Sequence, residues 1–371
     1  MAPLCGIIPE YVLKTIVERG SAPQNVITRC QTTIGRTQQI QSIREAHRES
    51  VAPLRRQQAP QAVERGGRLN RTVYDAQNSR ADPPLRNVVL LREGDELLAL
   101  EKDPTNNANE CYVGLGKAYD FFFRFFEQDS IDNRGFKLDG FVHSGELLNA
   151  FFDGRAFVFG DGDGVIFNGF TDELDVIGHE FSHGVVEYTN QLPYSFQSGA
   201  LNEHLADVFG IMVKQWGEGP PKTVDQSDWL IGEGIWAAGV NGRALRDMKN
   251  PGLAYKDPRV GDDRQPAHWR DYKNLKFSED YGGVHINSGI PNRAFYLAAT
   301  LIGGYAWEGA GRIWYNALRS REIPSDGTAT FKGFADLTMK HAENHVDDVR
   351  EAWVLVGYPF SASSGGRNEL R

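Results

Sequence analysis

The stretch Glu173-Leu174-Asp175-Val176-Ile177-Gly178-His179-Glu180-Phe181-Ser182-His183-Gly184-Val185-Val186-Glu187-Tyr188-Thr189 decides how the rest of the chain is read. Its two histidines are four residues apart, and a glutamate directly follows the first. On a helix four residues turn through roughly 400°, so His179 and His183 share one face, one turn apart. Two imidazole nitrogens placed that way can meet one Zn²⁺. Glu180 is rotated off the pair and can hold a water beside the metal rather than the metal itself. The bland alternative is a surface helix that happens to carry histidines. The flanks argue against it: Val176, Ile177, Phe181, Val185 and Val186 are apolar, and Leu174 to Tyr188 contains no proline. The segment reads as a mostly buried helix, where imidazoles and carboxylates are costly unless paired or metal-bound.

A catalytic zinc site takes three protein ligands and leaves one position for water. The run Ser198-Gly199-Ala200-Leu201-Asn202-Glu203-His204-Leu205-Ala206-Asp207-Val208-Phe209-Gly210 has apolar residues at helical spacing. Glu203 and Asp207 lie on one face of that helix. Glu203 can bind metal, and Asp207, a turn further on, can hydrogen-bond a ligand imidazole. His204 is the rival ligand, but it is turned about 100° from that face and is placed outside the ligand set. A third histidine six residues after the second would stand at position 189, which is Thr189, so a three-histidine zinc pattern is out. His179, His183 and Glu203, with Glu180 as base, would make a zinc hydrolase.

The whole chain bounds this reading. Its 371 residues suffice for a large core and two lobes. Apolar residues make up 40% and charged residues 24%, as in globular proteins. A net charge of −9 gives no nucleic-acid footprint. No apolar run is long enough to span a membrane. Cys5, Cys30 and Cys111 are too few and scattered for a disulfide framework or a cysteine-type zinc site. The first ten residues lack the basic and apolar regions of a secretory signal, so synthesis in the cytoplasm is expected, with release by a non-classical route open.

Residues 1–66 stand apart. They carry nine Lys/Arg and five Asp/Glu, a charge of +4 that leaves −13 for the remainder. Pro9 to Arg19 reads as a short amphipathic helix with Val12, Ile16 and Val17 on one face, ended by Gly20. Arg65-Gly66-Gly67-Arg68 reads as an exposed junction of the kind proteases nick. A basic N-terminal segment that docks on an acidic body is the expectation. Beyond it, Val88–Leu91 and Glu96–Leu100 look β-like. Tyr112–Phe126 reads as a buried aromatic helix, and Ala156–Phe167 as strand, Gly/Asp turn, strand. Asp161 and Asp163 lack the further ligands of a calcium loop and read as turn residues. From about residue 170 the pattern is mainly helical to the end. The expected divisions are 1–66, a β-rich lobe over 67–190 that includes the zinc helix, and an α-helical lobe over 191–371.

Six ordered motifs carry a resemblance covering nearly everything from Thr72 to the C-terminus. They are NAFFDG (149–154), FGDGDG (159–164), ELDVIGHEFSHGVVEYT (173–189), SGALNEHLADVFG (198–210), ALRDM (244–248) and GGVHINSGIPNRAFY (282–296). The chain resembles the thermolysin-like neutral zinc metalloproteases. Its short prosegment, with Ile-Pro near the start, is most similar to the protealysin branch.

The resemblance implies an α+β, two-lobed fold: a β-rich N-terminal lobe, an α-helical C-terminal lobe, and the zinc helix at the cleft. It implies a zinc endopeptidase made as a zymogen, acting as a monomer on protein or peptide substrates, with its own prosegment as a partner and no role for nucleic acid or membrane. It implies that His179, His183 and Glu203 bind one Zn²⁺ and that Glu180 moves the proton. His285, which by itself reads as a structural histidine after Gly-Gly, would donate to the oxyanion with Asp280 orienting its ring. Tyr194 would be a second donor. Asn149 and Ala150 would hold the substrate backbone, and Arg246 would support substrate and pocket. Phe167, Phe170, Val176 and Leu245 fall at positions similar to the family's apolar pocket, so cleavage before bulky hydrophobic residues is expected.

One departure concerns calcium. Asp175, Asp228 and Glu233 match acids of the family's paired Ca²⁺ site, but Lys214 stands where a shared glutamate is expected. An ammonium there would pair with those acids in place of the paired ions, while a single Ca²⁺ elsewhere stays open. In the prosegment, Cys5 is a candidate zymogen switch, since its thiolate can fill zinc's open position; an ordinary buried cysteine is the alternative. A non-catalytic peptide-binding relative that keeps the zinc site is the rival function, and the presence of Glu180 speaks against it.

Overall fold

The computed structural model describes residues 6–37, 69–79 and 84–360. Cys5 and most of the Gly66–Leu69 junction therefore lie outside the described residues. The chain opens with α1 (Glu10–Arg19) and α2 (residues 24–37). A five-stranded sheet follows: β1 (Arg71–Asp75), β2 (Val88–Arg92), β3 (Leu138–Val142), β4 (Ala150–Phe152) and β5 (Phe157–Phe159), in the order β2-β1-β3-β5-β4. The β1/β3 and β3/β5 pairs are parallel, and the outer pairs are antiparallel. Between β2 and β3 runs α3 (Asn107–Phe126). The zinc-motif helix α4 (Leu174–Thr189) leads into α5 (Phe196–Gly217). The last helices are α6 (Asp280–Asn287), α7 (Gly289–Ile302), α8 (Ala310–Leu318), α9 (Phe331–Lys340) and α10 (Val346–Leu355). The α+β, two-lobed expectation holds.

Aromatic rings of α3 lock the lobes around the two central helices. Phe122 stacks on Phe181 of α4 with ring centroids 5.2 Å apart and meets Phe209 of α5 at 5.3 Å. Phe126 stacks on Tyr315 of α8 at 4.3 Å, and Phe157 of β5 lies parallel to Phe181. Large rings with few rotatable bonds bury much area at low entropic cost, so α4 sits in a rigid aromatic seat.

Several expectations need correcting. Glu96–Leu100 is irregular, with Leu97 and Leu100 exposed, not a strand; its apolar residues have no opposing sheet face to cover. The second half of Ala156–Phe167 does not pair with β5, and Phe167 instead makes an isolated bridge to Trp236. Asp163 caps that loop: one carboxylate oxygen accepts from the backbone N–H of Val165, Ile166 and Phe167, the turn chemistry expected of it. The helical run after residue 170 is interrupted over 218–279 by loops and the two-residue strands β6 (Leu230–Ile231), β7 (Arg246–Asp247), β8 (Lys256–Asp257) and β9 (Gly261–Asp262). On α1 the buried face is Val12, Leu13 and Ile16, with Val17 only partly covered.

Helices α4 and α5 cross at two glycines. A Cβ on Gly178 would lie 3.1 Å from the Gly210 Cα, and one on Gly210 would lie 2.7 Å from the Asp175 carbonyl oxygen. No larger residue fits without moving backbone. Gly210→Ala is expected to cost about 1–3 kcal/mol of stability and to weaken zinc binding, because Glu203 would move away from the histidines. Denaturant unfolding of the metal-free protein and chelator competition test the two effects separately.

Candidate active site

The metal-ligand candidates converge from α4 and α5. One ligand atom from each of His179, His183 and Glu203 lies within 4.8 Å of the others, and all three side chains are buried. The two Nε2 atoms are 2.9 Å apart, and each is 3.7 Å from a Glu203 oxygen. The outer nitrogens settle the tautomers. His179 Nδ1 donates to Asp207 Oδ1 at 2.8 Å, and His183 Nδ1 donates to Asn202 Oδ1 at 2.8 Å. Each Nε2 is then a lone pair aimed at a shared point beside a carboxylate, the donor set a zinc ion takes. Burial opposes ionisation of Glu203, but the positive charge of His285 and Arg246 works against it and holds the carboxyl low.

Asp207 joins three elements. Besides His179, its oxygens accept from Arg246 Nε at 2.8 Å, Arg246 Nη2 at 2.7 Å and Asn292 Nδ2 at 2.8 Å. Burial pushes its pKa up, but Arg246 and His179 bring it well below the usual carboxylate range. A fork-to-fork guanidinium pair is the strongest form of this contact.

His204 is elsewhere. Its Nδ1 donates to Asn292 Oδ1 and its Nε2 accepts from Trp314 Nε1, both at 2.8 Å. Burial lowers its pKa to about 4, so it is neutral with both nitrogens engaged.

Opposite the ligand candidates, α6 begins with left-handed backbone at Tyr281, Gly282 and Gly283. That turn folds Asp280 back onto the helix. Its Oδ2 accepts from the backbone N–H of His285 and Ile286, and its Oδ1 lies 2.6 Å from His285 Nδ1. His285 Nε2 is 3.0 Å from the Tyr194 hydroxyl, which also donates to Glu203. Burial disfavours the His285 imidazolium, but Glu203 and Asp280 overcome this and raise its pKa. Gln265 secures the same helix by donating to the His285 carbonyl and to Ser288. Glu180 is buried, and its Oε2 accepts from the Phe152 N–H at 2.9 Å, which ties it to β4.

The pocket candidates Phe167, Phe170, Val176 and Leu245 are all buried. Phe167 lies 6.0 Å from Phe170 and stacks on Trp236 at 5.4 Å. Leu245 is fixed by its N–H to the Ile231 carbonyl.

The N-terminal segment lies against Asn149, Ala150 and Arg246, the residues expected to hold substrate. Gly6 pairs antiparallel with Phe151 on the outer edge of β4. The Ile7 N–H donates to Ala150 O at 3.0 Å. Asn149 grips Ile8 at both ends, accepting from its N–H at 2.9 Å and donating to its carbonyl at 3.0 Å. Arg246 Nη1 donates to the Ile7 carbonyl at 3.1 Å. Behind this strap, Arg19 donates to the Asp257 and Pro258 carbonyls. On α2, Arg29, Thr33 and Arg36 bind carbonyls between Ser144 and Gly162.

Comparison with known proteins agrees with this geometry. Residues 62–187 match the thermolysin metallopeptidase catalytic domain, and residues 190–358 match the alpha-helical domain of the same family. The chain belongs to the thermolysin metallopeptidases. It is therefore a metalloendopeptidase of a zinc-dependent family. It is 43% identical over 364 residues to an extracellular metalloprotease of Pectobacterium carotovorum subsp. carotovorum, covering 96% of each chain. It is 41% identical to protease PrtS of Photorhabdus sp. (strain Az29), covering 95% of this chain and 91% of that one. The precursor of protealysin, a metalloproteinase from Serratia proteamaculans, superposes with a TM-score of 0.80 at 44% identity, covering 95% of this chain and 99% of that one. These likenesses put the chain in the protealysin branch of the thermolysin family.

The sequence reading missed Asn202 and Gln265. Asn202 is one residue before Glu203, and its position one turn before Ala206 carries no periodic signal; only the fold brings it to His183. Gln265 lies in the irregular 218–279 region. As a carrier of the His183 tautomer, Asn202 makes a test: Asn202→Ala is expected to weaken zinc affinity about 10–100-fold, measured by competition with a zinc chelator.

Proposed function

We propose that this thermolysin-family chain is an endopeptidase with one catalytic Zn²⁺, made as a zymogen, that cleaves peptide bonds on the N-terminal side of bulky hydrophobic residues. The observation that carries the reading is the pairing of Gly6–Ile8 along Asn149 and Ala150, next to the converging His179, His183 and Glu203. A chain's own segment lies where a substrate backbone would. The similarity to a protealysin precursor supports the zymogen.

His179, His183 and Glu203 would hold the zinc ion, which would supply a Lewis acid for the scissile carbonyl and for the attacking water. The protein's residues do the rest. Asn149, Ala150 and Arg246 fix an extended backbone against β4. Glu180, held to the same strand through the Phe152 N–H, removes a proton from the attacking water and returns it to the leaving nitrogen. His285 and Tyr194 donate to the oxygen that gains charge, with Asp280 aligning the imidazole. Phe170, Val176 and Leu245, backed by Phe167, present an apolar pocket.

The acids near the N-terminus of α4 support a calcium-free reading there. Lys214 Nζ lies 3.3 Å from Asp175, 3.6 Å from Asp228 and 3.6 Å from Glu233, and donates to the Leu230 carbonyl. Burial opposes its charge, but Asp175, Asp228, Glu173 and Glu218 raise its pKa above the ordinary lysine value. On this reading the ammonium stands in for a divalent ion. Lys214→Ala would leave Asp175 buried and uncompensated and is expected to cost about 3–5 kcal/mol. In thermal melts, added Ca²⁺ should stabilise Lys214→Glu but not the wild type.

Among the described residues no helix is long and apolar enough to cross a membrane. The relative named extracellular supports action outside the cell.

The mechanism is tested by casein and peptide hydrolysis. Glu180→Gln is expected to lose about 10²–10⁴-fold in activity while it still binds zinc. Chelation should silence the wild type, and new product N-termini should be bulky hydrophobic residues. Equal activity in the wild type and Glu180→Gln would exclude Glu180 as the base.

A further inference from the structure

We propose that the Gly6–Ile7 peptide bond is itself a cleavage site of this enzyme, so that the strap across the cleft is an internal substrate. This rests on the zinc endopeptidase reading. The first support is the hydrogen bonding. All four backbone polar groups of Ile7 and Ile8 are taken by residues assigned to hold substrate: Ala150, Arg246 and both ends of the Asn149 amide.

The second support is direction. Strand β4 runs from Ala150 to Phe152, and the Phe152 N–H holds Glu180. An antiparallel partner read backwards, from Ile8 through Ile7 to Gly6, advances the same way. The bond on the N-terminal side of Ile7 therefore lies on the Glu180 side of the two residues held by Asn149, Ala150 and Arg246. Gly6 also lines a small cavity together with Asn149, Tyr281 and His285.

The third support is residue type. Ile7, directly after the bond, is bulky, apolar and fully buried, the residue class the apolar pocket accepts. Gly6, before it, has no room for a side chain: a Cβ there would come 2.7 Å from Asn149 Nδ2. Its bareness lets the bond lie flat against the strand.

The reaction needs water and nothing else. The water oxygen bonds to the Gly6 carbonyl carbon as one proton passes to Glu180. The Gly6 C–Ile7 N bond then breaks, Glu180 delivers that proton to the Ile7 nitrogen, and the second proton is lost as the Gly6 carboxyl ionises. The products are a carboxylate at Gly6 and an amine at Ile7. Ile7, Ile8, α1 and α2 keep their contacts after the cut, so the nicked segment stays in the cleft as bound product.

The test is N-terminal sequencing and intact mass of the full-length precursor incubated with zinc, alongside Glu180→Gln and Ile7→Asp. The wild type should yield a chain that begins at Ile7. Glu180→Gln should not, and Ile7→Asp should form the cut species roughly tenfold more slowly or worse. Since Ile7→Asp could also unseat the strap, a synthetic peptide of residues 1–12 is offered to the mature enzyme and should be cut between Gly6 and Ile7. An enzyme that hydrolyses casein but leaves this bond whole in both chain and peptide overturns the proposal and spares the endopeptidase reading. The same cut appearing in Glu180→Gln also overturns it. No hydrolysis of casein or peptide by the wild type would sink the endopeptidase reading instead.

Discussion

Two helices that offer side chains to one point must pack closely enough for those side chains to meet. Here α4 supplies His179 and His183, α5 supplies Glu203, and the approach is possible because Gly178 and Gly210 face each other at the crossing. Asp207, a turn beyond Glu203 on α5, then reaches back to His179 and forward to Arg246 and Asn292. One buried carboxylate thereby sets a ligand tautomer, positions the guanidinium that grips a peptide carbonyl, and anchors α7. Each buried charge in this knot has a partner, which is the condition for carrying ionised groups in an apolar core.

A second constraint is the open side of β4. An unpaired strand edge attracts extended chains. In the intact chain Gly6–Ile8 lies along this edge, the place we propose for a substrate backbone. The edge also carries Glu180 through the Phe152 N–H. The register of any peptide on β4 is therefore coupled to the position of Glu180, the proposed base. Arg19, Arg29 and Arg36 reinforce the strap by reaching carbonyl oxygens of the body, so the basic segment docks through directed hydrogen bonds as well as opposite net charge.

Legibility in the sequence followed the range of the interaction. Helices α3, α4 and α5 were readable because apolar residues repeat at the helical period, but α3 starts earlier, at Asn107, and α5 runs on to Gly217. The Asp163 turn was readable because Asx capping acts within four residues. Glu96–Leu100 misled because five apolar-rich residues suit a strand, yet no partner edge reaches them. The region 218–279 misled because its order comes from distant contacts, such as Lys214 to the Leu230 carbonyl and Trp236 on Phe167. Lys214 itself was legible only as a departure from a family pattern.

By itself the sequence determined that two imidazoles and a glutamate share a helical turn, that Glu203 and Asp207 share another, and that the first 66 residues carry a charge opposite to the rest. These are properties of spacing and composition, and they need no partner. Only the tertiary structure decided that the two turns meet around one point, that Asn202 rather than another acceptor orients His183, and that residues 6–8 run antiparallel to β4. Those outcomes depend on how closely backbones can approach and on which hydrogen-bonding groups are left unpaired at an edge, and both are set by the packed whole.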